Sequence, residues 1–445
     1  MLTYLFINRT CNFGKFCYLC NKKSLIHNII MTALVGVLNK HAVAIAADSA
    51  VTMGNTHKVV NSANKIFTLS KFHPVAVMVF NNAAFMGVPW DIIIKEYRKE
   101  LGSKALPSVK CYVDDFVRFL HSRDFFCDST TQSKYLGLLL EAFWDLCISE
   151  THGGSDAIAA SGYSEDKVKK LLNQALTYFE KQEKCPELKD YSYDVFIKTN
   201  KEVVGDCASN KGLSEKELLS KAFHAYLCTQ ISTQLSTGLV FVGYGENEIY
   251  PSLYPLDVAI GVDKRLRYYC EEKKVAVISE NGSHAIITPF AQTDVTQTII
   301  QGINPSFQDI IYSVTEKSIK EFINVITSYI DADPTAAHVS KSIRNLETDD
   351  IIRDIMRQMG RQMFESYTKL LLNTVISLDK EDMANMAESF IALTSLVRRM
   401  QPGKETVGGP VDVAVISKGD GFVWIKRKHY FKPELNAAFF NNYFK

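Results

Sequence analysis

The sequence lacks a long apolar run. Its most apolar stretch, residues 73–90, is interrupted by Asn81 and Asn82, whereas a membrane-spanning helix needs about 18 or more consecutive apolar residues. The first 30 residues contain neither an uninterrupted apolar core nor the small-residue cleavage site of a secretory signal. The sequence therefore predicts neither a transmembrane segment nor an export signal.

An excess of one charge is also missing. The chain has 50 Lys and Arg against 49 Asp and Glu, and the basic residues form no long block. This balance gives no support for nucleic acid or a membrane as a partner. Ten cysteines in 445 residues lack the density and pairing of a small secreted disulfide scaffold. A reducing cytoplasm is the simplest compartment.

Metal-binding and cofactor-binding patterns are sparse. The ten histidines include no HExxH pair, the usual signature of a zinc protease. Four candidate zinc ligands lie near the N-terminus: Cys11, Cys17, Cys20 and His27. They contain only one CxxC pair, and the remaining spacing fits no common zinc module. We expect no metal and no cofactor.

Patterns typical of β structure begin at Met31. Two apolar runs, residues 33–38 and 42–47, flank the polar pair Asn39-Lys40 and predict a hairpin. Because these runs are almost continuously apolar, we expect a sheet covered on both faces. Two more hairpins are predicted, one around Asn281-Gly282 and one around the KGDG sequence at residues 418–421.

Long helical patterns separate the strand blocks. They cover residues 91–101, 133–150, 214–234, 345–378 and 380–400. No internal repeat and no low-complexity linker divides the chain. The sequence therefore predicts one α+β domain with αββα layers and helical insertions, rather than several independent domains.

The most specific signal is the segment MTALVGVLNKHAVAIAADSAVTMGN, followed by NKIF at residues 64–67. Here the chain resembles the proteasome β-subunit family and its simpler bacterial relative, the peptidase that docks on a ring unfoldase. The resemblance implies a four-layer N-terminal-nucleophile (Ntn) hydrolase. It places the catalytic threonine of the mature N-terminus at Thr32, the aspartate of the AADS motif at Asp48, and the lysine of the next K-I pair at Lys65.

The chemistry of an N-terminal threonine explains this set of residues. A free α-amine with a pKa of roughly 7.7–8.0 can act as general base for the hydroxyl of the same residue. A positive charge at Lys65 would stabilise negative charge on the Thr32 oxygen and depress the pKa of the amine. Asp48 would hold and orient the lysine. Singly, a strand-end threonine, a capping aspartate and an exposed lysine are common, but their joint spacing favours the catalytic interpretation.

The segment VMVFNNAAFMG corresponds to a strand that leads into the first long helix. In the family a glycine at this place donates its N–H to the oxyanion of the tetrahedral intermediate. The matching residue is Asn81, or alternatively Asn82, and asparagine tolerates the backbone angles that glycine accepts. A second donor from the side chain and a plain polar strand end are the other interpretations of this residue.

The resemblance returns in residues 238–261, 377–400 and 407–425, which together with the first segment cover about half of the chain after Met31. Residues from about 150 to 236 and from about 305 to 375 have no counterpart, and we expect them to be helical insertions.

Two positions depart from the family pattern. Phe290 stands where the supporting serine is expected, with Thr288 and Thr293 near it in sequence. Met400 or Gln401, together with Val407, replaces the aspartate and serine that flank the late Gly-Gly turn. The catalytic interpretation therefore depends on Thr32, Asp48, Lys65 and Asn81.

The predicted function is cleavage of peptide bonds through an acyl-enzyme on Thr32, in a domain covering residues 32–445. Residues 1–31 would be a leader, a propeptide or the product of a mis-assigned start. A small-molecule amidase or acylase and a catalytically silent ring or scaffold subunit are the alternatives. The expected partners are a peptide or protein substrate and further copies of the chain, with an ATP-dependent unfoldase as a candidate.

Overall fold

The computed structural model describes residues 32–53, 58–123, 128–152, 165–331, 337–344, 348–401, 407–429 and 431–438. The secondary structure is mixed α and β with antiparallel sheets, which confirms the predicted α+β class. Residues 1–31, and with them the candidate zinc ligands, lie outside the described residues. The division into a leader and one domain with insertions stays a prediction.

The described chain forms two compact units. The helical unit comprises the described residues of Thr293–Ser377, and the sheet unit comprises the described residues on either side of it. Within the described residues the strands are β1 (Ala33–Asn39), β2 (Val43–Ala47), β3 (Val51–Met53), β4 (Lys58–Val60), β5 (Ile66–Thr68), β6 (Val75–Asn81), β7 (Ala84–Phe85), β8 (Val88–Pro89), β9 (Thr237–Gly243), β10 (Ser252–Val262), β11 (Arg265–Cys270), β12 (Ala276–Val277), β13 (Ala285–Ala291), β14 (Asp412–Ser417) and β15 (Gly421–Lys426).

The described α-helices are α1 (Trp90–Leu101), α2 (Val109–Ser122), α3 (Ser129–His152), α4 (Glu165–Glu180), α5 (Tyr193–Asn210), α6 (Lys216–Cys228), α7 (Asp294–Gln301), α8 (Pro305–Asp331), α9 (Ala337–Arg344), α10 (Thr348–Met363), α11 (Lys369–Ser377) and α12 (Lys380–Met400). A π-helical turn, Phe364–Thr368, joins α10 to α11. No helix of the described residues is long and apolar enough to cross a membrane.

The first sheet has the strand order β13-β1-β2-β14-β15. Its β1–β2 and β14–β15 pairs are antiparallel, which confirms two of the three predicted hairpins. Every residue of β1 and β2 is buried, as their continuous apolar runs predicted. The strand that follows Thr32, β1, and the strand that precedes Asp48, β2, are therefore neighbouring inner strands of this sheet.

The predicted hairpin around Asn281-Gly282 is wrong. The strand before this turn, β12, pairs with β10 of the second sheet, and the strand after it, β13, pairs with β1 of the first. The β1–β13 register extends over seven residues, from Ala33↔Ala291 to Asn39↔Ala285. That long pairing satisfies more backbone groups than a local hairpin with the two-residue β12 would. The turn therefore crosses between sheets.

The second sheet has the order β11-β10-β9-β6-β5, with β12 attached to β10. Alternate residues of β6 face opposite sides. Val75, Val77 and Val79 belong to a core shared with helices, whereas Ala76 and Met78 belong to a core shared with the first sheet. The second sheet therefore lies between a helical layer and the first sheet.

Helices cover the outer face of each sheet in the sheet unit. The larger core unites β6, β9 and β10 with residues of α1 to α6, including the aromatic side chains of Trp90, Phe116 and Phe143. On the other side, α12 packs against β1, β2 and β14. Helices thus pack against both sheets of this unit, and the exact four-layer sandwich stays a prediction.

Two predicted helices differ from the structure. The helix predicted over residues 214–234 ends at Cys228, and Thr229 adopts an extended conformation. The buried Arg267 guanidinium fixes this exit by donating to the carbonyls of Leu227, Thr229 and Ile231 at 2.8–2.9 Å. The helix predicted over residues 345–378 begins at Thr348 within the described residues and is interrupted by the π-helical turn.

A buried carboxyl group makes the stability of the sheet unit sensitive to pH. Asp257 on β10 is 2% exposed, and its Oδ1 has no hydrogen-bond partner among the described residues. Burial raises the pKa of Asp257 to about 6, although the positive charge of Arg267 opposes this effect. The folded state therefore binds this proton more tightly than the unfolded chain, where the pKa is about 3.9.

We predict that Asp257→Asn removes a pH-dependent loss of stability. The protonated group contributes about 2–3 kcal/mol below about pH 4, and this contribution disappears as the pH rises through about 6. The free energy of unfolding of Asp257→Asn relative to the parent should therefore increase by about that amount between pH 4 and 7 in urea titrations. The exposed Asp206→Asn is the control, and parallel pH curves for Asp257→Asn and the parent would contradict the prediction.

Candidate active site

The first hairpin brings Thr32 and Asp48 together. Thr32 precedes β1, Asp48 follows β2, and the register pairs Leu34 with Ala47. Beyond that pair, the Asp48 N–H donates to the Ala33 carbonyl at 3.2 Å, and the Ala33 N–H donates to Asp48 Oδ1 at 2.9 Å. The Asp48 side chain is thus fixed beside the residue that follows Thr32.

Asp48 is an acceptor for three separate backbone segments. Besides Ala33, the N–H groups of Ala50 and Gly408 donate to its Oδ2 at 3.1 and 3.3 Å. The carboxylate is 1% exposed. Its hydrogen bonds satisfy buried amides as well as its own charge, so Asp48 stabilises the local fold in addition to any catalytic role.

Lys65 reaches the buried Asp48 carboxylate from the second sheet. It immediately precedes β5, and its ammonium donates to Asp48 Oδ1 at 2.7 Å and to the Ala50 carbonyl at 2.6 Å. Lys65 is only 4% exposed, so it is not the exposed lysine of the alternative interpretation. A lysine has three N–H donors, and with two acceptors among the described residues one donor is left for another group.

The electrostatics of Lys65 combine opposing effects. Burial lowers the pKa of Lys65 because the ammonium loses its hydration, while the negative charge and hydrogen bond of Asp48 raise it. The more remote positive charge of Lys428 lowers this pKa, and Asp412 raises it. The net effect is a lowered pKa of Lys65, and the charge of Asp48 is the largest effect that opposes it.

Asn81 lies at the end of β6, two residues beyond the residue paired with Lys65. The Val79 N–H donates to the Lys65 carbonyl at 2.8 Å. Asn81 has a φ of 66°, the left-handed region in which glycine is most comfortable. The alternative residue, Asn82, uses its carbonyl to accept from the Thr237 hydroxyl at 3.1 Å. The donor role of the Asn81 N–H stays a prediction.

Thr32 is fixed by its backbone and is 1% exposed. Its carbonyl accepts a hydrogen bond from the Gln292 N–H at 3.0 Å, so β13 holds Thr32 from the side opposite to β2. In this chain the Thr32 nitrogen belongs to the peptide bond with Met31. An amide nitrogen has no basic lone pair, so the free amine would arise only once residues 1–31 are removed.

Phe290, which stands where the resemblance implies a supporting serine, offers no polar group. Phe290 is completely buried, with its ring centroid 5.8 Å from that of Phe80. Thr288 pairs with Gly36, about 13 Å along β1 from Thr32 at 3.3 Å per residue. Thr288 therefore does not replace the missing serine beside Thr32.

A second buried ion pair lies near Lys65 and was not predicted from the sequence. Asp412 begins β14, directly across from Ala47, and its carboxylate accepts from both the backbone N–H and the ammonium of Lys428. Their side chains are 3% and 10% exposed. A charged residue inside the strand pattern DVAVIS is the only signal that could have indicated this pair.

A groove with a volume of about 580 Å³ lies elsewhere, between α2 and β11, where a ring nitrogen of His121 is 2.7 Å from the Glu187 carboxylate. None of Thr32, Asp48, Lys65 or Asn81 lines it. The ion-paired cluster around Asp48, rather than this groove, is therefore the candidate active site.

No protein-family model and no curated protein sequence matches the chain. Among solved structures, it is similar to Anbu (ancestral beta-subunit) from Yersinia bercovieri, at 8% identity over 92% of this chain and 94% of that chain, with a TM-score of 0.28. An Anbu (Gly-1) mutant from Hyphomicrobium sp. strain MC1 is 7% identical over 93% of this chain and 94% of that chain, again with a TM-score of 0.28.

The Anbu complex from Pseudomonas aeruginosa, solved as a helical assembly, is 10% identical over 92% of both chains, also with a TM-score of 0.28. Likenesses with such low identities and TM-scores establish neither a family nor an activity for this chain.

We predict that Asp48 and Lys65 are strongly coupled in stability. Asp48→Asn alone should cost about 3–5 kcal/mol because it leaves the buried ammonium without its counter-charge. Adding Lys65→Met to that variant should cost much less than Lys65→Met costs in the parent. A double-mutant cycle measured by urea unfolding gives the coupling energy.

The exposed ion pair between Lys95 and Asp91, at 2.9 Å, provides the matched control cycle. Its coupling should stay below about 1 kcal/mol because both groups remain hydrated. Equal coupling energies in the two cycles would contradict the prediction that burial makes the Asp48–Lys65 pair interdependent.

Proposed function

We propose that the chain is an Ntn hydrolase of the proteasome-like kind, which cleaves peptide bonds with Thr32 as its N-terminal nucleophile. The observation that carries this proposal is the buried ion pair of Lys65 and Asp48, which is fixed by backbone amides at the start of β1. A buried lysine with a donor left over, paired with the carboxylate that also accepts from the residue after Thr32, is a costly arrangement. Stabilisation of a developing alkoxide on Thr32 would explain why such a costly arrangement is present.

In the proposed mechanism the Thr32 hydroxyl attacks the carbonyl carbon of the scissile peptide. The hydroxyl proton passes to the free α-amine of Thr32, which acts as general base. Lys65 remains protonated and stabilises the negative charge on the Thr32 oxygen as it forms. The oxyanion of the tetrahedral intermediate accepts from the Asn81 N–H.

The intermediate then collapses. The carbon–nitrogen bond breaks, the leaving amine takes the proton from the α-ammonium of Thr32, and the acyl group stays on Thr32 as an ester. A water molecule, deprotonated by the α-amine, attacks the ester carbon and releases a carboxylic acid. The Thr32 hydroxyl regains its proton at this step, which closes the cycle. The proposed cycle uses no metal or cofactor.

The state of the cysteines bears on where the protein acts. The described cysteines, such as Cys185 and Cys228, are free thiols, which fits the proposed cytoplasmic compartment. The proposed substrate is a peptide or an unfolded protein. An ATP-dependent unfoldase is the candidate partner.

We predict that active protein begins at Thr32. Intact mass and N-terminal sequencing of protein purified from its own host should show a free Thr32, and fluorogenic peptides should be hydrolysed. Thr32→Ala should reduce kcat/KM by at least about a thousandfold because it removes the nucleophile. Thr374→Ala, at an exposed helical threonine, is the matched control and should keep full activity.

The possible results separate the three functions. Active protein that still carries residues before Thr32 refutes the mechanism, because an acylated nitrogen cannot act as the base. Turnover of small amides without turnover of peptides identifies an amidase, and a retained leader without any turnover identifies a scaffold subunit.

We further predict that Lys428 tunes the site through Lys65. Lys428→Met removes a nearby positive charge and leaves Asp412 unpaired, and both changes raise the pKa of Lys65. The limb of the pH profile of kcat/KM that reports loss of the Lys65 proton should therefore move to higher pH. Lys428→Arg should restore the profile of the parent because it keeps the charge.

Lys426→Met is the matched control for this experiment. Lys426 lies two residues away but is exposed and pairs with Glu388 at 2.6 Å. Its replacement should leave the profile unchanged. A Lys428→Met enzyme whose profile coincides with that of Lys426→Met would show that Lys428 does not act on the site.

A further inference from the structure

The long helix α8 of the helical unit exposes an unusual number of large apolar side chains. Six of them are more than half exposed: Phe307 (53%), Ile310 (54%), Val314 (57%), Phe322 (64%), Val325 (52%) and Tyr329 (78%). Only Thr327 of this helix is fully buried. Isolated exposed apolar residues are ordinary, but six large ones on one face of a single helix indicate an interaction surface.

These six residues share one face of the helix. At about 100° per residue, they fall within an arc of about 120°, which we call the α8 stripe. A second apolar row is half-buried: Ile319, Ile323, Ile326 and Ile330. The helices α9 and α10 pack against α8. The apolar face of α8 is therefore wider than the part of it that α9 and α10 cover.

Four of the six residues of the α8 stripe are spaced symmetrically about a point close to the middle of the helix. Ile310 and Tyr329 are equally far from the midpoint between residues 319 and 320, and so are Val314 and Val325. An antiparallel pairing with an identical helix would therefore place Val314 against Val325 of the second copy, and Ile310 against Tyr329 of the second copy. A two-fold contact requires such self-complementarity.

The charges at the edge of the stripe fit the same arrangement. Lys317 lies just outside the arc and Glu321 just inside the same edge, near the helix midpoint, and the two are 3.7 Å apart within the chain. In an antiparallel two-fold pair, the same edges of the two helices meet. Lys317 of one copy then comes alongside Glu321 of the other, so opposite charges face each other at the rim.

The available area is sufficient for a weak, specific dimer. Six half-exposed large side chains offer about 600 Å² per copy, or about 1,200 Å² in total, which is the low end for specific interfaces. We propose that α8 is a self-association surface that pairs antiparallel with α8 of a second copy of this chain. The proposal is independent of the hydrolase function.

Two double variants test both the surface and its orientation. Val314→Glu with Val325→Glu places like charges opposite each other across the pair and should weaken dimerisation at least a hundredfold. Val314→Glu with Val325→Lys places opposite charges there and should restore much of the association. Glutamate and lysine are good helix formers, so both variants should keep the helical circular dichroism of the parent.

Sedimentation velocity of the full chain over about 0.1–100 µM measures association. Ile249→Glu, at an exposed apolar residue of the sheet unit, is the control and should dimerise like the parent. A parent that is monomeric throughout this range overturns the proposal, as does an undiminished dimer of the Glu/Glu variant. A folded Glu/Lys variant that associates no better than the Glu/Glu variant overturns the antiparallel pairing.

Discussion

The geometry of the candidate site depends on the burial of the Lys65 ammonium with the Asp48 carboxylate. Removing both charges from water is costly, and their attraction compensates only when the remaining donors and acceptors are also satisfied. The N–H groups of Ala33, Ala50 and Gly408 meet that requirement on Asp48, and the Ala50 carbonyl does so on Lys65. The pair therefore fixes the start of β1, the segment after β2 and the Gly-Gly turn relative to one another.

The two-sheet architecture explains why this pair can form. Asp48 follows a strand of the first sheet, whereas Lys65 precedes a strand of the second, so their ion pair links the sheets at one end. Between the sheets lies an apolar core that includes Leu34, Met78 and Phe290. That core excludes water from the inner side of the pair, which strengthens the electrostatic attraction and also lowers the pKa of Lys65.

Much of this arrangement could be predicted from local sequence. The continuous apolar runs around Asn39-Lys40 indicated a buried hairpin, and its ends necessarily bring residue 33 close to Asp48. The pairing of β13 with β1 could not be predicted, because Asn281-Gly282 is a strong local turn signal and only tertiary context decides which strand lies across from β1. The Asp412–Lys428 pair escaped prediction for the same reason, since its members are distant from Lys65 in sequence.

The second ion pair changes the electrostatic balance of the site. With Asp412 and Lys428 included, the buried groups near the start of β1 carry two positive and two negative charges. A free amine at Thr32 would therefore enter a site with no net charge, yet Lys65 would be its nearest expected cation. A neighbouring cation disfavours protonation of the amine, while the remote counter-charges limit the effect. A base and a cation that stabilises the Thr32 oxygen need opposite protonation states in one site, and the proposed mechanism therefore depends on this arrangement of paired charges.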